Sequence, residues 1–99
     1  NQVYGKLNDT SLAIDYYWHG SRYKKDYMLW MVYGIVNDKS ITSVRLEVEL
    51  DEQTLILDQP QLYDDMFLFI WNSVKTDYKL KKIIGLDDES RVIYEKEFY

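Results

Sequence analysis

Residues 42–50 read Thr-Ser-Val-Arg-Leu-Glu-Val-Glu-Leu, and this stretch decides the fold. Its apolar side chains recur at every second position, with charged side chains between them. Because a strand turns successive side chains to opposite faces of its sheet, this alternation predicts a strand with one buried and one solvated face. The residues expected on the buried face are Val44, Leu46, Val48 and Leu50.

Strand signals of the same kind lie on both sides of this stretch. β-branched and aromatic residues dominate them, and Asn, Asp, Gly and Ser separate them. The predicted strands are 10–19, 27–36, 42–50, 54–57, 66–71, 79–87 and 91–98, with a loop at 20–26 and a loosely ordered lead-in at 1–9. Seven strands at roughly 8–12-residue spacing are typical of an antiparallel β-sandwich forming a single domain.

The segment 60–71 leaves two alternatives open. Met66 to Trp71 is apolar throughout, so its periodicity does not separate a strand from a helix. A helix starting at Pro60 would place Leu62, Met66 and Phe69 on one stripe. We favour a strand, because the run is short and aromatic.

The expected core combines the strictest alternations with the centres of the apolar runs. It consists of Leu12, Ile14, Val44, Leu46, Val48, Leu68, Ile84, Val92 and Tyr94.

The composition disfavours several classes of function. Twelve basic against seventeen acidic residues give a net charge of -5, whereas nucleic-acid binders normally carry an excess of Lys and Arg. The 99 residues include no cysteine and one histidine, His19. A Cys-based zinc site and a thiol nucleophile are therefore excluded, and a lone histidine makes no catalytic triad without converging partners. We expect a non-enzymatic chain without a cofactor or metal.

Two predicted strands have more apolar residues than one buried face needs. Residues 27–36 and 66–71 are apolar on both faces, although each strand of a two-sheet sandwich meets the core on one face only. Such a second face is either covered by the N-terminal 26 residues or by loops, or it is exposed for binding. We expect the aliphatic residues of 66–71 to fill the core. The aromatic residues expected to form a surface for association are Trp30, Phe67, Phe69 and Trp71.

Weaker candidate sites come from polar residues. Tyr17 and His19 share one face of the first strand and suggest a pH-sensitive or stacking contact, although an exposed strand-end histidine is the simpler interpretation. Carboxylates occur as the pairs Asp51/Glu52, Asp64/Asp65 and Asp87/Asp88, the last with Glu89. Two of them from different pairs, for example Asp64 with Asp87, could serve a small hydrolase, and an acidic loop could bind calcium. Each pair falls at a predicted turn, where Asp is favoured for backbone reasons, so we favour the structural role.

Four short stretches carry a resemblance to a known group of domains. They are Gly34-Ile35-Val36-Asn37-Asp38, Ile41-Thr42-Ser43-Val44, Ile84-Gly85-Leu86-Asp87 and Arg91-Val92-Ile93-Tyr94. Together they resemble small immunoglobulin-like domains of exported or lipid-anchored proteins of Gram-positive bacteria. Ser90 stands where such hairpins often have Gly, and the Cys pair of antibody domains is missing. The resemblance implies an immunoglobulin-like sandwich in a secreted or lipid-anchored protein at the cell surface, and it transfers no site residue.

The leading functional expectation is an extracytoplasmic interaction module. It would bind a protein partner, or a second copy of itself, through an aromatic sheet face. A carbohydrate- or cell-wall-binding module is the alternative, because aromatic rings stack on sugars, and a carboxylate-dependent hydrolase is more remote. The chain begins at Asn1 without Met, so we expect any membrane attachment to come from an anchor that precedes this residue.

Overall fold

The computed structural model describes residues 11–25, 27–50, 52–73 and 79–98, without the side chains of residues 23, 24 and 73. These ranges contain seven strands and no helix. The strands are β1 (Ile14–Lys24), β2 (Tyr27–Val36), β3 (Ser43–Leu50), β4 (Gln53–Gln59), β5 (Met66–Ser73), β6 (Lys79–Leu86) and β7 (Val92–Glu97). The described ranges therefore also lack any helix long and apolar enough to cross a membrane. The predicted lead-in at 1–9 lies outside the described residues.

The strands form two antiparallel sheets. One sheet has the order β1-β2-β5, and the other has the order β4-β3-β6-β7. The largest buried cluster draws side chains from both sheets, including Val32 and Phe69 from the first and Leu46 and Ile83 from the second. This arrangement confirms the predicted all-β architecture with seven antiparallel strands in a sandwich-like packing.

The first strand differs from the prediction at both ends. It begins at Ile14 rather than at residue 10, and it continues to Lys24 through the polar stretch that was predicted to be a loop. Pairing with β2 explains the extension, because the neighbouring backbone hydrogen-bonds β1 whatever side chains it carries. Gly20 lies opposite Trp30, and a Cβ atom on Gly20 would come within 2.7 Å of the indole ring. Glycine therefore leaves room for that ring against the strand.

A tight turn occupies the place of the alternative helix before β5. Tyr63 and Met66 exchange both backbone hydrogen bonds, with N–O distances of 3.2 and 2.9 Å. Asp64 and Asp65 between them have φ angles of 53° and 63°. Two successive positive φ angles are typical of a two-residue hairpin turn, and Asp tolerates this left-handed conformation better than most residues. The turn leads the chain directly into β5, so the strand prediction for 66–71 is confirmed.

The core prediction is partly confirmed. Five of its members are buried: Ile14, Val44, Leu46, Val48 and Ile84. Tyr94 is half-buried and packs against the core. Three members are wrong, because Leu12 precedes β1, Val92 begins the edge strand β7, and Leu68 points away from the core; their exposed fractions are 43%, 54% and 50%.

Candidate functional site

The two phenylalanines of β5 belong to the core, so their predicted exposure is wrong. Phe67 and Phe69 are 3% and 5% exposed, and their ring centroids lie 5.9 Å apart. In the β2–β5 ladder Phe67 lies opposite Gly34, and Phe69 lies opposite Val32. Both rings belong to the core cluster, together with Leu46 and Ile83 of the other sheet.

The two tryptophans of the predicted surface share this inner side. Trp30 and Trp71 lie opposite each other in the β2–β5 ladder, and both are half-buried. Trp18 joins them from β1, with its ring 6.4 Å from that of Trp30, and remains more than half exposed. The three indoles therefore form an aromatic cluster that extends the core toward the Trp30–Trp71 end of the sheet.

The opposite side of the three-stranded sheet carries the exposed apolar residues. We call this side the outer face; its members are Asp15, Tyr17, His19, Ser21, Leu29, Met31, Tyr33, Ile35, Met66, Leu68, Ile70 and Asn72. On β5 the exposed fractions of Met66, Leu68 and Ile70 are 49%, 50% and 53%. An apolar surplus was expected on this sheet, and it is present, but the aliphatic side chains of β5 are outside and the phenylalanines inside.

The outer face is almost free of charge. In the described pairing of β1, β2 and β5, the one carboxylate on this side is that of Asp15, which is buried. His19 lies opposite Met31 and is exposed. Residues 11–25 do not lie across the sheet as a cover, because most of them are the strand β1 itself. The outer face thus presents apolar atoms to the solvent over all three strands.

A groove of about 420 Å³ lies where the outer face meets the turn before β5. Three tyrosines, Tyr17, Tyr33 and Tyr63, line it together with Ile35, Gln59, Met66 and Leu68. The rings of Tyr17 and Tyr33 are stacked, with centroids 6.0 Å apart and planes 28° apart. Tyr63 is 66% exposed and stands at the turn. Tyr17 is the predicted site residue that the structure places in the groove, whereas His19 is not among the lining residues.

Both polar ends of the Gln59 side chain are already occupied. Its Oε1 accepts a hydrogen bond from the backbone N–H of Leu68 at 2.9 Å, and its Nε2 donates to the carbonyl of Gln61 at 3.1 Å. Gln59 therefore ties the end of β4 to the free edge of β5. The groove is left with phenol rings, aliphatic side chains and the tyrosine hydroxyls.

The remaining polar candidates have structural roles in the described part of the chain. The Asp87 carboxylate accepts hydrogen bonds from the backbone N–H groups of Glu89 and Arg91, each at 2.9 Å, and from Arg91 Nε at 2.8 Å. These bonds, led by that from the Arg91 backbone, lower the pKa of Asp87. Ser90 adopts a φ of 63° in the same hairpin, at the position where glycine was expected. No cluster of three metal-ligating side chains occurs among the described residues.

Comparison with known proteins finds no matching family, no matching curated protein and no matching solved structure.

Proposed function

We propose that this chain is a non-enzymatic, extracytoplasmic interaction module that binds a protein partner through the outer face of its three-stranded sheet. The single observation that supports it most is the exposed, nearly uncharged apolar surface over three strands. Monomeric soluble proteins rarely expose large contiguous apolar patches unless they bind something there. The extracytoplasmic setting, at the surface of a Gram-positive cell as a secreted or lipid-anchored protein, comes from the resemblance to immunoglobulin-like domains.

The energetics favour a partner that brings apolar side chains. Met66, Leu68 and Ile70 each leave about half of their surface in water. Covering one such half-exposed side chain is worth about 1 kcal/mol. The groove beside them accepts an apolar or aromatic side chain between Tyr33 and Tyr63, which gives the partner a defined anchor.

Carbohydrate binding is the alternative, because the stacked rings of Tyr17 and Tyr33 are of the kind on which sugars lie. A sugar also exposes several hydroxyls that need hydrogen-bond partners when they are buried. The lining of the groove is almost entirely apolar, and the one side-chain amide among its described residues, that of Gln59, already makes a hydrogen bond at each end. This favours a protein side chain over a sugar.

Peptide selection on the wild-type chain tests the proposal. Peptides are selected from a random displayed library, synthesised, and titrated against three proteins: wild type, Leu68→Ser and Ile56→Ser. Ile56 is the control, because it lies on β4 of the other sheet and is 52% exposed, as Leu68 is at 50%. We expect Leu68→Ser to weaken binding about 10-fold or more, and Ile56→Ser to leave it unchanged.

Three outcomes contradict the proposal. Equal affinity for all three proteins would place the binding surface elsewhere. If no peptide is enriched, and chitohexaose binds wild type but not Leu68→Ser, the groove is a sugar site. If no peptide is enriched and chitohexaose does not bind either, the outer face is not a binding surface.

A further inference from the structure

We propose that two copies of this chain pair edge to edge through β5, in an antiparallel arrangement around a two-fold axis. The inference rests on the proposed function, since it joins two outer faces into one wider binding surface. The edges of the two sheets differ in how they are protected against pairing with another strand.

Three of the four edge strands carry charges or proline. β7 has Glu95, Lys96 and Glu97, β4 has Asp58 and is followed by Pro60, and β1 has Arg22 and Lys24 near its end. Charged side chains and proline are the usual means by which edge strands avoid pairing with other chains. β5 reads Met-Phe-Leu-Phe-Ile-Trp-Asn-Ser and has no charge and no proline. Of the edges described, β5 is thus the one open to another strand.

The backbone of β5 has free groups on this edge. The N–H of Leu68 points to Gln59, and Met66 bonds Tyr63, so the even-numbered residues turn their N–H and C=O groups away from β2. By the same alternation, the N–H and C=O groups of Ile70 and Asn72 point to the free edge. Within the described residues, no hydrogen bond reaches these two residues from that side.

The free N–H and C=O groups of Ile70 and Asn72 favour one register for two paired β5 strands. With Trp71 on the two-fold axis, Ile70 of each copy lies opposite Asn72 of the other, and the two pairs exchange four N–H to C=O bonds. With Ile70 on the axis, the pairs of Leu68 with Asn72 would need the N–H of Leu68, which already bonds Gln59, so only the two bonds between the Ile70 residues would remain. An antiparallel ladder joins such opposed residues in alternating bonded and non-bonded pairs, and the Trp71 pair is a non-bonded one.

The pairing has a consequence for the proposed function. A two-fold axis between antiparallel edge strands stands perpendicular to the sheet, so both outer faces lie on the same side. The joined sheet has the order β1-β2-β5-β5-β2-β1 and carries two grooves. Its outer edges are the charged β1 strands, so the assembly closes at two copies.

Sedimentation equilibrium on the 99-residue chain tests the pairing. We expect wild type to reach twice the 12.0 kDa mass of the chain as its concentration is raised. Ile70→Lys places a charge in the middle of the paired edge and should weaken dimerisation at least about 10-fold. Ile56→Lys is the matched control, since Ile56 is 52% and Ile70 53% exposed and both lie on edge strands; it should remain dimeric.

Amide hydrogen exchange on wild type gives a second reading that depends on no variant. The amides of Ile70 and Asn72 should be protected at high protein concentration and lose this protection on dilution, whereas the Leu68 amide should not change. A wild-type chain that stays monomeric up to about 1 mM, where even weak pairs associate, overturns the inference. So does a dimer in which the Ile70 and Asn72 amides exchange freely.

The pairing and the proposed function can be overturned independently of each other. A monomer that binds selected peptides in a Leu68-dependent way overturns the pairing and leaves the proposed function standing. A dimer of the expected kind that binds no peptide leaves the pairing standing and overturns the proposed function.

Discussion

The outer sides of the two sheets differ in how they meet water. On the four-stranded sheet, charged side chains face the solvent in cross-strand pairs: Arg45 Nε lies 2.7 Å from Asp58, and Lys82 Nζ lies 3.2 Å from Glu95. These partners raise the pKa of Arg45 and of Lys82, chiefly through the side-chain hydrogen bonds. The outer face of the three-stranded sheet has no comparable pair among its described residues.

This difference shows what each kind of residue pattern specifies. Exposed ion pairs contribute about 0–1 kcal/mol each, so those of the four-stranded sheet add little stability. Charged side chains instead fix the register of the strands that carry them. A shift by one residue would turn a charged side chain into the core, which is costly. On β5 both alternations are apolar, so either could face the core. A strand of this kind leaves an apolar surface outside, whichever side is buried.

The largest expected effect is the difference in stability between variants on the two faces of β5. Replacing both Phe67 and Phe69 with Ser removes two buried rings, at about 3–5 kcal/mol each against a typical total of about 5–15. We expect this variant not to fold. The double variant Leu68→Ser with Ile70→Ser changes half-exposed positions and should fold. Far-ultraviolet circular dichroism shows whether each double variant folds, and urea unfolding gives its stability. Two folded variants of equal stability would contradict the assignment of the inner and outer faces of β5.

A smaller effect is expected on β3, where one alternation is charged. Leu46 is fully buried, so Leu46→Ala should lower the free energy of unfolding by about 2–5 kcal/mol. Glu47→Ala, one residue away on the solvated side, should change it by no more than roughly 0.5 kcal/mol. Urea unfolding at neutral pH measures both. Equal costs would mean that the strand is shifted by one residue.

The smallest effect is expected in the hairpin after β6. The lowered pKa of Asp87 means that its ionised form is favoured in the folded chain. Its contribution to stability is therefore present above the unfolded pKa of about 3.9 and is lost as the pH falls through the lower, folded value. We expect Asp87→Asn to lower the thermal midpoint slightly at pH 7, with the difference from wild type narrowing on acidification.

Asp88→Asn is the control for this hairpin, because the Asp88 side chain accepts none of the bonds that hold the turn. It should follow the wild-type curve. A difference between wild type and Asp87→Asn that grows toward acid pH would contradict the role of the ionised carboxylate.

Local pattern accounts for most of the fold and for part of the candidate site. The bounds of β2 match the predicted 27–36, and the buried face of β3 matches through Val44, Leu46 and Val48. Tyr17, one of the predicted site residues, lines the groove. Tyr63 was not predicted, because an isolated tyrosine beside two aspartates reads as part of a turn. Tyr63 is exposed and lines the same groove as Tyr33 only because of the turn before β5.

The sequence by itself determined the number of strands, their approximate places and the buried side of β3, where one alternation is charged. The physical reason is that burying an unpaired charge costs far more than exposing an apolar side chain. Only the tertiary structure decided which side of β5 is buried. Gly34 and Val32 of β2 lie opposite Phe67 and Phe69, and these two rings join the core cluster with Leu46 and Ile83 of the other sheet. That pairing joins residues more than thirty positions apart, so no local pattern contains it.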